Sequence, residues 1–219
     1  MGPSSLATRA ASAGGRVLSV ATSAISAVRP AAKPLHPRGT VETGVLTRRG
    51  AGDGPVTGSA WLDEPGRDDV LVRSSRAIGL PPPAPDIFGL AVRVPLPGGS
   101  YGDLLLATTG LGRLTRFTLT AARSATGRPL TTLLPYRTAA GAVLLAATYR
   151  DQDTVDLAWA CGTGGWHRFA RLRLDHEPAG GADALVSFDP VRHELPGLVT
   201  YDWVRLLREP AYRTARRSR

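Results

Sequence analysis

The 219-residue chain is 42% hydrophobic and 21% charged, the balance of a globular domain with a sizeable core, and no apolar run reaches the roughly 18 to 20 residues of a membrane helix. A formal charge of +9 and a pI near 10.9 invite an acidic partner. However, Lys33 is the only lysine in an Ala-, Gly- and Pro-rich chain, so the arginine excess reads as compositional bias. Arg9, Arg16, Arg213, Arg216, Arg217 and Arg219 lie towards the ends, and specific nucleic-acid recognition is not expected from charge so placed. Cys161 stands alone, which excludes an internal disulfide and a cysteine metal site and suits a reducing, cytoplasmic setting.

Residues 1–32 contain no Asp or Glu and form an N-terminal arm or helix, with Val17, Leu18, Ala21, Ile25 and Val28 on one narrow apolar stripe. As a secretory signal the stretch is poor. Ser19, Thr22, Ser23 and Ser26 interrupt its apolar part, and Arg29-Pro30 is a poor cleavage site. A single domain is expected over 33–219.

From Thr40 onward the pattern changes to strands, expected at 40–48, 68–74, 87–94, 103–108, 115–121, 142–149, 154–160 and 167–174. Some alternate, as in Arg168-Phe169-Ala170-Arg171-Leu172-Arg173-Leu174, and others are continuous apolar runs such as Val143-Leu144-Leu145-Ala146-Ala147. Turns are marked by Gly50-Ala51-Gly52-Asp53-Gly54, Pro97-Gly98-Gly99 and Gly162-Thr163-Gly164-Gly165. Short strands without long helical stretches between them predict a mainly β, α+β fold, an antiparallel β-barrel of about eight strands. Such a barrel is just wide enough for one small ligand. A further strand-like run covers 184–188, and 202–209 reads as a short C-terminal helix with Trp203, Leu206 and Leu207 inward.

Phosphate loops, paired metal-spaced histidines and a Gly-x-Ser-x-Gly elbow are all absent. His167, His176 and His193 read as surface or satisfied histidines. His36 is different, because it opens an ordered series of short pieces. These are Lys33-Pro34-Leu35-His36-Pro37-Arg38-Gly39, Val72-Arg73-Ser74-Ser75, Asp86-Ile87-Phe88-Gly89-Leu90-Ala91-Val92-Arg93 and Gly102-Asp103-Leu104-Leu105-Leu106-Ala107-Thr108-Thr109. Phe188-Asp189-Pro190, Pro196-Gly197 and Arg208-Glu209-Pro210-Ala211-Tyr212 follow. In this order they resemble the haem-dependent catalase superfamily, as a short, catalase-related chain over residues 33–219.

The resemblance implies a catalase-like barrel binding haem b. By position, Tyr212 matches the proximal iron ligand, and Arg208 four residues earlier would pair with its phenolate. His36 matches the distal acid–base and Ser75 the serine that orients it. Arg73, Lys33 and Arg219 match contacts to the haem propionates. The set is chemically coherent. A tyrosine phenol has a free pKa of about 10 and ligates iron as a phenolate only with help from nearby positive charge, and a neutral histidine suits proton transfer during O–O cleavage.

One position departs from the family pattern. Ala107 stands where a distal asparagine would aim an amide at peroxide, so rapid dismutation is not implied. The expected activity is peroxidase-like reduction of peroxide by a small reductant, with a homo-oligomer allowed. The alternatives are a non-catalytic barrel for haem or another apolar ligand, a degenerate catalase-like domain without haem, and a basic module contacting nucleic acid or acidic lipid through its tails. Each candidate also has a plain structural reading. Tyr212 would be a C-terminal anchor, Arg73 an outward strand charge, Ser75 a small filler and His36 a strand-entry residue.

Overall fold

The structure is a computed structural model that describes residues 38–79, 83–178 and 186–206. In chain order the elements are β1 (Arg38–Arg49), α1 (Ala60–Asp63), β2 (Pro65–Arg76), β3 (Phe88–Pro95), β4 (Tyr101–Thr108) and β5 (Leu130–Thr131). They are followed by β6 (Tyr136–Thr138), β7 (Gly141–Tyr149), β8 (Thr154–Cys161), β9 (His167–Pro178) and β10 (Val199–Thr200). A helical turn, α2, covers 202–206. All pairings are antiparallel. The order β1-β2-β3-β4-β5-β7-β8-β9 closes on itself through the β1–β9 pairing, while β6 and β10 extend the wall beside β7. The expected eight-strand antiparallel barrel is present, and closure removes the exposed edges that an open sheet would carry.

One of the eight strands is not where the pattern put it. Residues 115–121 make a 3-10 turn at Thr115–Phe117 and then extended chain, and the two-residue β5 takes the strand's place between β4 and β7. Local polar bonding explains this. The Thr115 hydroxyl accepts the Gly112 N–H at 3.0 Å, and the Arg116 guanidinium donates to the carbonyls of Leu111, Gly112, Gly162 and Gly164. Arg116 is buried and stacks on Trp166 at 4.5 Å. Burial, helped by the neighbouring charge of Arg113, lowers its pKa. This arginine closes a loop over the barrel wall and is not a surface charge. The strand-like run at 184–188 is also corrected where it is described, since 186–188 are not strand.

The barrel interior is filled. Leu46, Val72, Leu90, Val92, Leu104, Leu130, Leu145, Leu157, Phe169 and Leu172 belong to one buried cluster, each worth about 1.5–3 kcal/mol when fully removed from water. Helix α1 plugs the end where β1 leaves and β2 enters. Its Trp61 packs edge-on to Phe169 at 5.4 Å, and Arg48 lies over the indole while donating to the Trp61 carbonyl at 2.9 Å. The apolar side chains meet across the barrel as one cluster.

The opposite end carries polar side chains. Glu42, buried on the inward face of β1, accepts from His176 Nδ1 at 2.9 Å, and His176 Nε2 reaches Asp153 at 2.6 Å. Tyr149 hydrogen-bonds Ser74. Burial raises its pKa, against that hydrogen bond and with added repulsion from Glu42. His176 holds a left-handed backbone, φ 53°, so a clasp between β1, β9 and the β7–β8 turn is fixed in a sparsely populated conformation. The Asp153 hydrogen bond, then the Glu42 charge and hydrogen bond, raise the His176 pKa above its ordinary 6.5, with desolvation opposing. A folded-state pKa above the unfolded one favours the native state below about 6.5, and the contribution disappears as pH rises through the raised value. The Tm difference between the parent and His176→Gln should therefore be larger at pH 6 than at pH 9. Equal differences would show that the clasp acts by shape and not by charge.

Candidate functional site

Directly paired residues in antiparallel strands share a face, and the register places two rows on the outer wall of β1–β4. Gly39, Ser75, Gly89 and Ala107 are cross-strand partners in one row, and Val41, Arg73, Ala91 and Leu105 in the next. Leu90 and Leu106 point the other way, into the core. The first row therefore contains no side chain larger than that of serine across four adjacent strands. The wall is correspondingly flat there. The alternation that produces it is legible in Phe88-Gly89-Leu90-Ala91-Val92, where small residues take the outward places and large ones the core.

Arg73 and Ser75 lie on this face, two residues apart on β2, and both are buried, at 7% and 9% exposure. That excludes the plain reading of Arg73 as an outward solvated charge. The Arg73 guanidinium lies against Gly39, and a Cβ at Gly39 would sit 2.7 Å from its Cζ. A larger residue there would push the guanidinium aside, so glycine lets the cation lie flat at the end of the row. Lys33, His36, Arg208, Tyr212 and Arg219 lie outside the described residues. Of the sequence-derived site, Arg73 and Ser75 are thus placed, and on one face.

Several motif pieces meet, but as scaffold. Asp103, fully buried, accepts two hydrogen bonds from Arg93, both at 2.8 Å, and a third from the Asp189 N–H at 2.8 Å. Arg93 lies over Tyr101 at 3.8 Å and Phe188 at 4.9 Å and donates to the Ser187 carbonyl. Asp86, buried at the entry to β3, accepts the N–H groups of Ile78, Gly79 and Ile87. Gly197, at φ 78°, lies against Ser59, whose hydroxyl donates to Pro196. Asp103 and the Gly197–Ser59 contact hold the segment 187–198 on the barrel, and Asp86 fastens the β2–β3 connection. Among the described residues no group of three or more His, Cys, Asp or Glu side chains is arranged to hold a metal ion.

The outer wall of β1, β8 and β9 has a different character. Arg49, Arg67, Arg168, Arg171 and Arg173, with Asp156 and Asp175, line a concavity of about 730 Å³ whose apolar members are Val45 and Ala170. Asp156 pairs with Arg171 at 2.9 Å, Arg150 at 3.1 Å and Arg168 at 3.4 Å. Burial works to raise its pKa, but the hydrogen bonds and charges of Arg171 and Arg150 prevail and lower it. Because the residues come from separate strands, sequence reading did not assemble this groove. The register of Thr47 with Arg67 and Arg171, and of Arg171 with Asp156, is what brings them together.

No family model matches the chain, and no curated protein matches it. Among solved structures, one described as a bacterial catalase is similar over 84% of this chain, with a TM-score of 0.58 and 13% identity. The chain spans 56% of that structure's length. At this identity the likeness concerns the fold, which is catalase-like. No helix among the described residues is long and apolar enough to cross a membrane.

Proposed function

We propose that the chain binds haem b against the outer wall of β1–β4 and uses it to reduce peroxide with a small reductant. The observation that supports this most is the flat row Gly39, Ser75, Gly89 and Ala107 with the buried Arg73 guanidinium at its end. A planar, apolar ring with anionic substituents fits such a face. Small side chains permit close approach, and a weakly hydrated guanidinium suits a carboxylate. The described residues fit the group. Tyr212, which would ligate the iron as in the family resemblance, lies outside them.

On this reading Arg73, Lys33 and Arg219 hold the propionates, and Arg208 favours the Tyr212 phenolate by its charge. Haem, when bound, would supply the redox chemistry of peroxide reduction. His36 would take a proton from peroxide and return it to the departing oxygen while the Ser75 hydroxyl orients the imidazole. Ala107 presents a methyl group where the family carries an amide, so peroxidase turnover should exceed dismutation. Asn at position 107 should shift the ratio towards oxygen release.

The face itself is tested by Gly89→Phe, which stands a ring in the middle of the row. Haemin titration of the parent should give a saturable Soret shift, and the variant, with parental Tm, should lose it. If the folded variant binds haemin as the parent does, the site is not this face.

A further inference from the structure

We infer that the arginine-lined groove on the outer wall of β1, β8 and β9 binds the phosphate backbone of nucleic acid without reading its sequence. Its lining carries five guanidiniums and two carboxylates, a surplus of positive charge on one continuous face. Arg67 and Arg173 make no ion pair among the described residues, and both are exposed. Arg168 and Arg171 are held by Asp156, and the Arg49 Nε donates to the Arg168 carbonyl at 2.9 Å. Asp156 thus orients guanidiniums while each keeps further N–H donors for a ligand.

The chemistry of the lining selects among anions. Arginine forks match phosphate oxygens. Small-molecule sites are mostly apolar, whereas here only Val45 and Ala170 are. An arginine cluster can also hold an acidic or phosphorylated peptide, but stable peptide docking generally adds an apolar anchor or a free sheet edge. The groove offers no such anchor, and barrel closure leaves no edge along β1, β8 or β9. No aromatic side chain lines it, so bases have no stacking platform, and contact to the backbone is what remains. Along β9, Arg171 and Arg173 are successive outward residues, about 6.6–6.8 Å apart. Arg67 extends the positive face across β1 through the pairing of Thr47 with both Arg67 and Arg171. The positive charge is thus spread along β9 and across β1, over a wider area than one phosphate needs.

The test is fluorescence anisotropy of the full chain with short labelled duplexes of two unrelated sequences over a range of salt. The expected result is equal affinity for both sequences, falling with salt. Arg67→Ala/Arg173→Ala, two exposed changes that should leave Tm unchanged, should weaken both duplexes alike and make the log–log salt slope shallower by about 2. Three results would overturn the inference. The parent fails to bind at low salt, or the folded double variant keeps parental affinity and slope, which would place binding elsewhere on the chain. The third is that poly-glutamate at equal charge competes as well as duplex does, which would remove phosphate as the recognised group.

Discussion

Asp103→Ala should destabilise the protein by about 3–5 kcal/mol, the usual effect of removing one member of a buried ion pair, and lower Tm by about 10 °C. The substitution removes the acceptor for two Arg93 N–H groups and for the Asp189 N–H. It leaves a guanidinium that is largely out of water, with a side-chain exposure of 18%. The loss extends beyond the pair, because Arg93 also lies over Tyr101 and Phe188 and donates to Ser187. One carboxylate therefore ties 187–189 to β3 and β4. Asp103→Asn keeps the shape and one acceptor oxygen and should cost less than Asp103→Ala. Urea denaturation of the three proteins measures this. A loss under about 1 kcal/mol for Asp103→Ala, the range of exposed pairs, would show that the clasp is not a buried ion pair in solution.

The second large effect concerns chemistry. His36→Ala should lower peroxide turnover by about 10²- to 10⁴-fold, the range for loss of a positioned acid–base, while haem remains bound and its spectrum keeps the parental form. The two readouts separate the roles. A residue that only shapes the strand entry would change both or neither, whereas a proton carrier changes turnover alone. Oxygen evolution and oxidation of a phenolic reductant, measured side by side on the haem-loaded parent and variant, give the comparison. Parental rates in both assays would make His36 structural and withdraw the peroxidase reading.

Much of the fold could be read from period-two patterns because core and wall residues alternate. Phe88 to Val94 and Arg168 to Leu174 are strands in both the sequence reading and the structure. The reading failed at 115–121, where Leu119 and its neighbours look like a strand but Arg116 finds four backbone carbonyls in the adjoining loops. Nothing local announces that a long-range polar cage will outcompete strand pairing.

The candidate site was legible only in part, and the motifs contributed in an unexpected way. Asp86, Asp103, Asp189 and Gly197 drew notice as members of a series resembling catalases, and each proves to fasten chain segments together. Arg73 and Ser75 share one face, as a common ligand would require, and the register adds Gly39, Gly89 and Ala107. Glycines and alanines carry no chemistry of their own, so a search for reactive side chains passes over them. Their meaning lies in the space that they leave.

The most direct measurement is a haemin titration of the full chain, followed at the Soret band and repeated on Tyr212→Phe and Tyr201→Phe. The account predicts saturation near one haem per chain with the high-spin ferric spectrum of a tyrosinate ligand, a changed spectrum and weaker retention for Tyr212→Phe, and no change for Tyr201→Phe. An absorbance that rises with added haemin without saturating, identical in all three proteins, would contradict it.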